Sequence, residues 1–487
     1  MKKSFVYIGL AVLLFSCSGS QDDSTKPGPP QPVAETGNVI GNAQVWITNG
    51  AKSKLLNKQS SGASIYDSNA TTDPSISIDF SQKYQEIEGF GAALTGSSAL
   101  VINSMGTAQK EALIKDLFSP SEGIGLSYLR LTIGASDFSV SNFSYNDLPP
   151  GSTDPALNGF SIAQDETDVI PVLKTALTYS PNIKIMGSPW SAPAWMKTSG
   201  SMNGGSLKPE WFDAYGSYFV KYINAYAAHG IRIDAITPQN EPLHEINSYP
   251  TMKMIAPDQA DFIKNSLGPK FKAAGINTKI IAYDHNFDVP SYPLTVLGDA
   301  NAAQYIDGSA FHAYGGDVSA MNQVHAAFPD KNLYFTEVSG GEWSTDFASN
   351  LKWNVGNIFI GTTRNWSKNV LLWNLALNTN YGPTNGGCTN CRGVVTINSS
   401  GTVTKNVEYY ALAHFAKFIK PGAKRVNSTE FDNSQGLKNV AFVNPDGSKI
   451  LVVLNESEAV RKFAVKIDDK KIVYSLESTA VATFVWE

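Results

Sequence analysis

The segment IDAITPQNEP, residues 233–242, joins a short β-branched run to an abrupt polar end. Its first five residues predict a buried strand, because β-branched residues favour strands and the residues that follow favour a turn. Seven other segments of the same kind lie between residues 85 and 420. They span residues 87–93, 128–133, 183–187, 279–283, 308–312, 333–336 and 370–373.

Amphipathic helical stretches separate these predicted strands. They cover residues 109–118, 166–179, 211–229, 257–274 and 351–366. Alternating strands and helices are typical of βα units around a parallel sheet, and eight such units close a barrel. We therefore predict an α/β fold, a (β/α)8 TIM barrel over residues 85–421. Its active site is expected at the C-terminal ends of the strands.

Both flanks of the barrel contain shorter segments with strand character. Residues 39–84 hold two alternating runs, at 43–47 and 75–80. Residues 422–487 hold two more, and the turn-forming segment NPDG at 444–447 joins them as a hairpin. We predict that the two chain ends together form an antiparallel β-sandwich beside the barrel.

The N-terminus has the pattern of an export signal. Lys2 and Lys3 precede the apolar run 5–15, which is too short to span a bilayer, and Cys17 closes the segment. Residues 1–17 are predicted to be a lipoprotein signal peptide with Cys17 as the lipidated residue, although plain secretion with an incidental cysteine is the alternative. Residues 18–38 are polar and proline-rich, as in a flexible linker. The expected protein is exported, lipid-anchored at a bacterial outer membrane or cell surface, and touches the membrane only through that anchor.

Composition excludes several functional classes. The 487 residues include 42% hydrophobic residues, enough to build a large core. The net charge of −5 arises from well-mixed signs without a basic block, so no nucleic-acid partner is expected. The six histidines show no H-x-H or H-E-x-x-H spacing, and no G-x-S-x-G segment is present. A metal-dependent hydrolase and a serine hydrolase are therefore disfavoured, and neither a metal nor a cofactor is expected.

Cys388 and Cys391 form a single C-x-x-C segment. One such pair supplies only half of a zinc site, and no thioredoxin-like pattern surrounds it. In an oxidising compartment, we predict a disulfide that stiffens a loop.

Two glutamates stand at matched places in the predicted barrel. Glu241 follows the fourth strand and Glu337 ends the seventh, so the two carboxylates can face one substrate across the barrel mouth. Retaining glycoside hydrolysis needs such a pair about 5–5.5 Å apart, with one carboxylate as nucleophile and the other as general acid/base. Either glutamate alone could be a solvated loop residue, but the matched pair favours catalysis.

Several motifs in order make the chain similar to glycoside hydrolase family 30, which includes lysosomal glucosylceramidase and microbial endo-β-1,6-glucanases. The resemblance covers roughly residues 40–487. Its motifs are EGFGAALT (88–95), LRL (129–131), SDFS (136–139), GSPWSAP (187–193), NEP (240–242), FHAY (311–314) and LWNLALN (372–378).

The resemblance implies a role for each matching residue on the reacting side. Glu241 matches the acid/base and Glu337 the nucleophile of the family. Asn240 would hydrogen-bond the sugar 2-hydroxyl, and Arg130 would keep Glu337 ionised. Arg130 could instead be part of a buried structural ion pair.

Other matching residues are implied to bind the sugar. Asp137 and Trp190 would hold the 3- and 4-hydroxyls, and Trp373 would lie under the ring. His312 and Tyr314 would line the pocket, with Tyr314 near Glu337. The two tryptophans could instead be core residues, and His312 could be a satisfied barrel histidine.

The expected function is a retaining hydrolase that cleaves β-glucosidic bonds by double displacement, acting on a β-glucan or another β-glucoside. The cysteine-containing segment 380–397 resembles the glucanase branch, so an endo-β-1,6-glucanase is expected. A glucosylceramidase-type β-glucosidase is the first alternative. A non-catalytic, glycan-binding surface lipoprotein is the second.

Overall fold

The computed structural model describes residues 36–431 and 435–487. The predicted signal peptide, Cys17 and nearly all of the predicted linker lie outside the described residues. Across the described ranges, no helix has both the length and the apolar character needed to cross a membrane.

Four strands precede the barrel. They are β1 (Val39–Asn49), β2 (Asn57–Lys58), β3 (Ala63–Tyr66) and β4 (Ser75–Glu86). The next strands build the barrel, except for a short strand β12 in a loop. They are β5 (Gly89–Leu94), β6 (Tyr128–Thr132), β7 (Lys184–Ser188), β8 (Ala235–Ile236), β9 (Lys279–Asn286), β10 (Ile306–His312), β11 (Asn332–Glu337), β12 (Gly340–Gly341) and β13 (Ser367–Asn374).

The barrel is closed and its strands are parallel, in the order β10-β11-β13-β5-β6-β7-β8-β9. All eight predicted segments form its strands, which confirms the predicted fold class. The strand β8 is shorter than the predicted residues 233–237. Asp234 and Thr237 on either side of it still donate backbone hydrogen bonds to β7, at 2.7 and 3.0 Å.

Helices cover the outside of the barrel. They are α1 (Gly96–Asn103), α2 (Thr107–Phe118), α3 (Ala163–Thr167), α4 (Val169–Tyr179), α5 (Phe212–Ala228), α6 (Ala256–Phe262), α7 (Gly268–Ala273), α8 (Ser291–Gly298), α9 (Ala300–Ala303), α10 (Ala320–Ala327), α11 (Phe347–Trp353), α12 (Gly361–Arg364) and α13 (Val407–Ala416). Two predicted helices, 257–274 and 351–366, contain π-helical segments at Ile263–Leu267 and Asn354–Ile360.

The N-terminal half of the barrel is filled. A layer of buried side chains crosses its interior: Tyr128, Met186, Ala235, Ile281, Ala310, Tyr334 and Leu371. Below this layer, Glu88 contacts Lys279 at 2.7 Å and Lys184 and Lys368 at 3.2 Å each. Burial opposes ionisation of this carboxyl, but the three lysines together lower the pKa of Glu88 to about 2. The floor of the barrel therefore consists of an apolar layer with the ionised Glu88 and its three lysines below it.

The last strands are β14 (Ala376–Asn378), β15 (Cys391–Arg392), β16 (Val395–Ile397), β17 (Val403–Lys405), β18 (Lys424–Ser428), β19 (Leu437–Val443), β20 (Lys449–Asn455), β21 (Arg461–Ile467), β22 (Lys470–Leu476) and β23 (Ala480–Trp486). Strands from both chain ends share one sheet, in the order β2-β1-β23-β20-β19-β18-β4-β21-β22-β3, and a further β1–β3 pairing closes it. The sandwich predicted from both ends is confirmed.

One detail of the sandwich prediction is wrong, because the sheet is not antiparallel throughout. Strand β21 pairs with β4 in parallel, with Val465 opposite Ile76. The two strands come from opposite ends of the chain, so no hairpin forces them to run antiparallel. The predicted turn at 444–447 does form a hairpin between β19 and β20, and Gly447 adopts the positive φ of +86° that favours glycine.

Candidate active site

The two predicted catalytic carboxylates meet at the barrel mouth. Glu337 is the last residue of β11, and Glu241 lies in the turn after β8. One oxygen from each carboxylate and one ring nitrogen of His312 lie within 4.8 Å of one another. This separation suits direct attack by one carboxylate and leaves no room for a water between the pair and the anomeric carbon.

Glu241 is held in an uncommon backbone conformation. Its φ is +45°, in the left-handed region that side chains other than glycine rarely adopt. The backbone N–H of Glu241 donates to the carbonyl of Asp284 at 2.9 Å. The turn is therefore fixed to the end of the neighbouring strand β9, and the carboxylate is aimed by the backbone as well as by its own contacts.

Two donors hold Glu337. The Arg130 guanidinium donates from Nη1 to Glu337 Oε2 at 2.5 Å, and the Tyr314 hydroxyl donates to Oε1 at 3.0 Å. Burial raises the pKa of Glu337, while the charges of His312 and Arg130 oppose that rise. The hydrogen bonds from Arg130 and Tyr314 both stabilise the ionised carboxylate of Glu337, which is the form a nucleophile needs.

Arg130 binds two further groups with its second terminal nitrogen, Nη2. Its Nη2 donates to Asn240 Oδ1 at 2.6 Å and to Asp284 Oδ2 at 2.8 Å. The guanidinium is fully buried. The structural ion pair that the sequence left open is thus present, but it includes Glu337 itself. Arg130 therefore fixes the nucleophile and Asn240 relative to each other.

Asp284 is the part of the site that the sequence analysis missed. It is fully buried at the C-terminal end of β9, with φ +68°. Besides Arg130, it accepts hydrogen bonds from His312 Nε2 at 3.0 Å and from three hydroxyls. Those hydroxyls belong to Ser188, Thr237 and Thr336, each at 2.7 Å. Burial opposes its ionisation, yet Arg130 and His312 hold the pKa of Asp284 well below its usual range. A polar residue directly after the predicted strand 279–283 was the available signal.

His312 links Asp284 to Glu241. Its Nδ1 lies 3.2 Å from Glu241 Oε1, opposite the Nε2 contact with Asp284. Although burial favours a neutral ring, Glu337 and the bonds to Asp284 and Glu241 raise the pKa of His312 to about 9. The same contact lowers the pKa of Glu241 against the effect of its burial. Near neutral pH, His312 and Glu241 therefore hold one proton as a pair.

The aromatic residues form one wall of the mouth. Trp190 and Trp373 stack with ring centroids 5.0 Å apart, and the Arg130 guanidinium lies 4.9 Å from the Trp190 ring centroid. Only 3% and 4% of the two tryptophans are exposed, so packing accounts for most of their surface. Phe138 and Cys391 belong to the same cluster. The two tryptophans are therefore packed as core residues, which was the alternative considered from the sequence, and they lie at the edge of the site.

Asp137 lies beside this cluster. Burial and the charges of Glu337 and Glu241 raise the pKa of Asp137 well above its usual range. The structure thus brings the two predicted catalytic residues and the seven predicted substrate-binding residues together at the barrel mouth. A disulfide joins Cys388 to Cys391 in the loop over it.

The cluster of Glu241, His312 and Glu337 also has the spacing of metal ligands. However, Glu337 already accepts a hydrogen bond from the Arg130 guanidinium at 2.5 Å, and the positive charge of that guanidinium would oppose a cation bound to the same carboxylate. The residues present do not suit a metal ion.

Comparison with known proteins gives two domain matches. The glycosyl hydrolase family 30 TIM-barrel domain matches residues 87–419, and the glycosyl hydrolase family 30 beta sandwich domain matches residues 422–484. The endo-1,6-β-D-glucanase of Aspergillus fumigatus is 38% identical over 76% of this chain and 78% of its own. The lysosomal acid glucosylceramidase of Mus musculus is 30% identical over 83% of this chain and 82% of its own. A solved endo-β1,6-glucanase is 34% identical, with a TM-score of 0.84 over 92% of this chain and 99% of that chain.

Proposed function

The chain belongs to glycoside hydrolase family 30, and we propose that it is a retaining endo-β-1,6-glucanase in which Glu337 is the nucleophile and Glu241 the acid/base. The observation that carries this proposal is the separation of at most 4.8 Å between oxygens of these two carboxylates. A pair this close supports double displacement with a covalent intermediate.

In the first step, Glu337 Oε attacks the anomeric carbon while the bond from that carbon to the leaving oxygen breaks. The leaving oxygen takes the proton held by Glu241 and His312. The products are a glycosyl ester of Glu337 and the part of the glucan that carries the leaving oxygen. Arg130 and Tyr314 stabilise the carboxylate before attack, and their bonds weaken as its charge is lost.

In the second step, Glu241 takes a proton from a water that attacks the anomeric carbon from the face the leaving group vacated. The ester bond breaks and Glu337 regains its charge, so the product keeps the β configuration. Asn240 acts throughout on the 2-hydroxyl. Its Oδ1 already accepts from Arg130, so its amide N–H is the group available to the substrate.

Sugar binding is proposed to use the mouth wall. Asp137 and Trp190 hold the 3- and 4-hydroxyls, and Trp373 lies under the ring. Gripping O3 and O4 leaves O6 open for a further glucose, as an endo-acting β-1,6 enzyme requires. Two relatives with this named activity, at 38% and 34% identity, support the linkage.

A glucosylceramidase-type β-glucosidase is the second candidate, because the mouse relative covers most of this chain. Linear β-1,6-glucan, laminarin and glucosylceramide should be tested side by side, with Glu337→Gln as the inactive control. We expect oligosaccharides from β-1,6-glucan and little product from the other two. Faster release from glucosylceramide would favour the second candidate. Binding without turnover of any substrate would favour the glycan-binding lipoprotein instead.

We also propose that the protein is exported and lipid-anchored through Cys17. The basic start, the short apolar run and the cysteine that closes it support this proposal. The disulfide between Cys388 and Cys391 fits an oxidising compartment. The wild type is expected in the membrane fraction and Cys17→Ser outside it. Equal partition of the two proteins would contradict the anchor.

A further inference from the structure

The loop of residues 385–392, called here the cysteine loop, is bonded to the segment that contains Asp137. The backbone N–H of Asn385 donates to the carbonyl of Asp137 at 2.7 Å. The side-chain amide of Asn385 donates to Ser136 O at 3.1 Å and to Asn142 Oδ1 at 2.7 Å. One residue of the cysteine loop therefore anchors the whole turn after β6.

Two glycines bring the cysteine loop into direct contact with its neighbours. Gly386 has a φ of +77°, and a Cβ added there would lie 2.1 Å from the carbonyl oxygen of Ser248. A Cβ added at Gly387 would lie 2.4 Å from the Cβ of Asp137 and 2.8 Å from its Oδ2. Contacts this short are not possible for real Cβ atoms, so only glycine fits. The backbone of the cysteine loop at Gly387 is therefore in close contact with the Asp137 side chain.

The other end of the cysteine loop is tied to the segment after the nucleophile. Gly341 and Gly340 pair with Cys391 and Arg392 in an antiparallel ladder. The backbone N–H of Glu342 adds a bond to Asn390 O at 2.9 Å. The loop therefore spans the mouth, from the Asp137 side to the strand that ends in Glu337.

The disulfide joins the residue after Gly387 to the end of the loop that pairs with Gly341. Cys391 packs in the cluster of Trp190 and Trp373, and the Cys388–Cys391 bond closes a ring next to Gly387. Closing a ring removes conformations that the loop would otherwise sample. The position of Gly387 against Asp137 is thereby restricted.

We propose that Gly387 and the Cys388–Cys391 disulfide are positioning elements that hold the Asp137 carboxyl at the place where it binds the sugar hydroxyls. This inference rests on the proposed role of Asp137 in substrate binding. A hydrogen bond weakens steeply as its geometry departs from the optimum, so a displaced Asp137 loses grip on O3 and O4. Because those hydroxyls do not react, the loss should appear in substrate binding more than in the chemical step.

Two variants test the proposal from different directions. Gly387→Ala keeps the disulfide and pushes on Asp137, whereas the double variant Cys388→Ser/Cys391→Ser opens the ring and leaves Gly387 in place. With a soluble β-1,6-linked glucose oligosaccharide, each should raise KM about tenfold, the order expected for one or two weakened hydrogen bonds. Their kcat should stay within about threefold of the wild type. Thr389→Ala is the matched control, because Thr389 is exposed inside the same ring.

The outcomes separate this inference from the proposed function. A wild type that hydrolyses no β-glucoside would refute the function. A wild type that is active, beside a folded Gly387→Ala with unchanged KM, would overturn the positioning role. A fall in kcat at unchanged KM would overturn it as well. Thermal unfolding of each variant identifies folded protein, and Gly387→Ala decides the matter if the double variant does not fold.

Discussion

The two ends of the barrel bury carboxylates in opposite electrostatic surroundings. At the floor, the carboxylate of Glu88 is surrounded by three lysines within 3.2 Å. At the mouth, Asp137, Glu241, Asp284 and Glu337 are accompanied by Arg130 and His312. Excess positive charge keeps Glu88 ionised at any pH well above its pKa of about 2, whereas the mouth has fewer cations than carboxylates. A proton must therefore be shared there, and a shared proton can be moved.

The two ends of the barrel also differ in backbone strain. Glu88 is followed by Gly89, which adopts its φ of +152° at little cost because it has no Cβ. At the mouth, three residues that carry side chains, Glu241, Tyr283 and Asp284, have positive φ values of +45°, +73° and +68°. Such conformations cost free energy that the surrounding contacts must offset. The floor is built for stability, and the mouth accepts strain in order to aim its side chains.

Outside the catalytic pair, the largest expected effect comes from removing charge at the centre of the mouth. Asp284→Asn keeps the shape but removes the negative charge that supports both Arg130 and His312. We expect kcat/KM to fall about 10²-fold, as when a preorganised charge is lost from an active site. Steady-state kinetics on β-1,6-glucan measures this effect.

The same variant should change the pH profile in a defined direction. Asp284 helps to raise the pKa of His312 to about 9, so its loss lowers that pKa. The pair of His312 and Glu241 then loses its proton at lower pH, and the alkaline limb of kcat/KM moves toward acid. Thr336→Val is the control, because it removes one hydroxyl donor to Asp284 and leaves the charge. An unmoved alkaline limb in Asp284→Asn would contradict the shared proton.

The smallest effect on activity is expected at the floor. Glu88→Gln removes the carboxylate that three lysines share, although Lys279 keeps Asp307 at 3.5 Å, so the free energy of unfolding at neutral pH should fall by about 3 kcal/mol. Catalytic rates of the folded variant should match those of the wild type. Urea unfolding and steady-state kinetics measure the two quantities.

The stability loss in Glu88→Gln should depend on pH. The folded-state pKa of Glu88 is depressed from 4.5 to about 2, so its contribution is complete above pH 4.5 and disappears as pH falls toward 2. The difference between wild type and variant should shrink over that interval. A difference that stays constant from neutral pH to pH 2 would show that packing and not charge is at work.

The sequence predicts the features that depend on local segments and misses those that depend on contacts between distant parts of the chain. The eight strands were predictable because each is a local apolar run, and Glu241 and Glu337 because each follows or ends such a run. The role of Asp284 depends on five donors, four of them in four other strands and the fifth, Thr237, just after β8, which no local pattern shows. The parallel pairing of β4 with β21 and the contact of Gly387 with Asp137 likewise join distant parts of the chain.

The π-helical segments were missed for a different reason. A helix with a π turn keeps an apolar face of similar periodicity, so its sequence predicts one continuous helix. The resemblance to the family also predicted the place of Tyr314 near Glu337. The contacts of His312 with Asp284 and Glu241 became visible only when the strands were closed into a barrel.

The central claim is that Glu337 and Glu241 are close enough for direct attack, and the anomeric configuration of the first product tests it. Proton NMR during the first minutes of β-1,6-glucan hydrolysis separates the two anomers of the new reducing end before they interconvert. We predict that the β anomer appears first and the α anomer grows in later. Initial release of the α anomer would mean that a water attacks directly, and it would contradict the account.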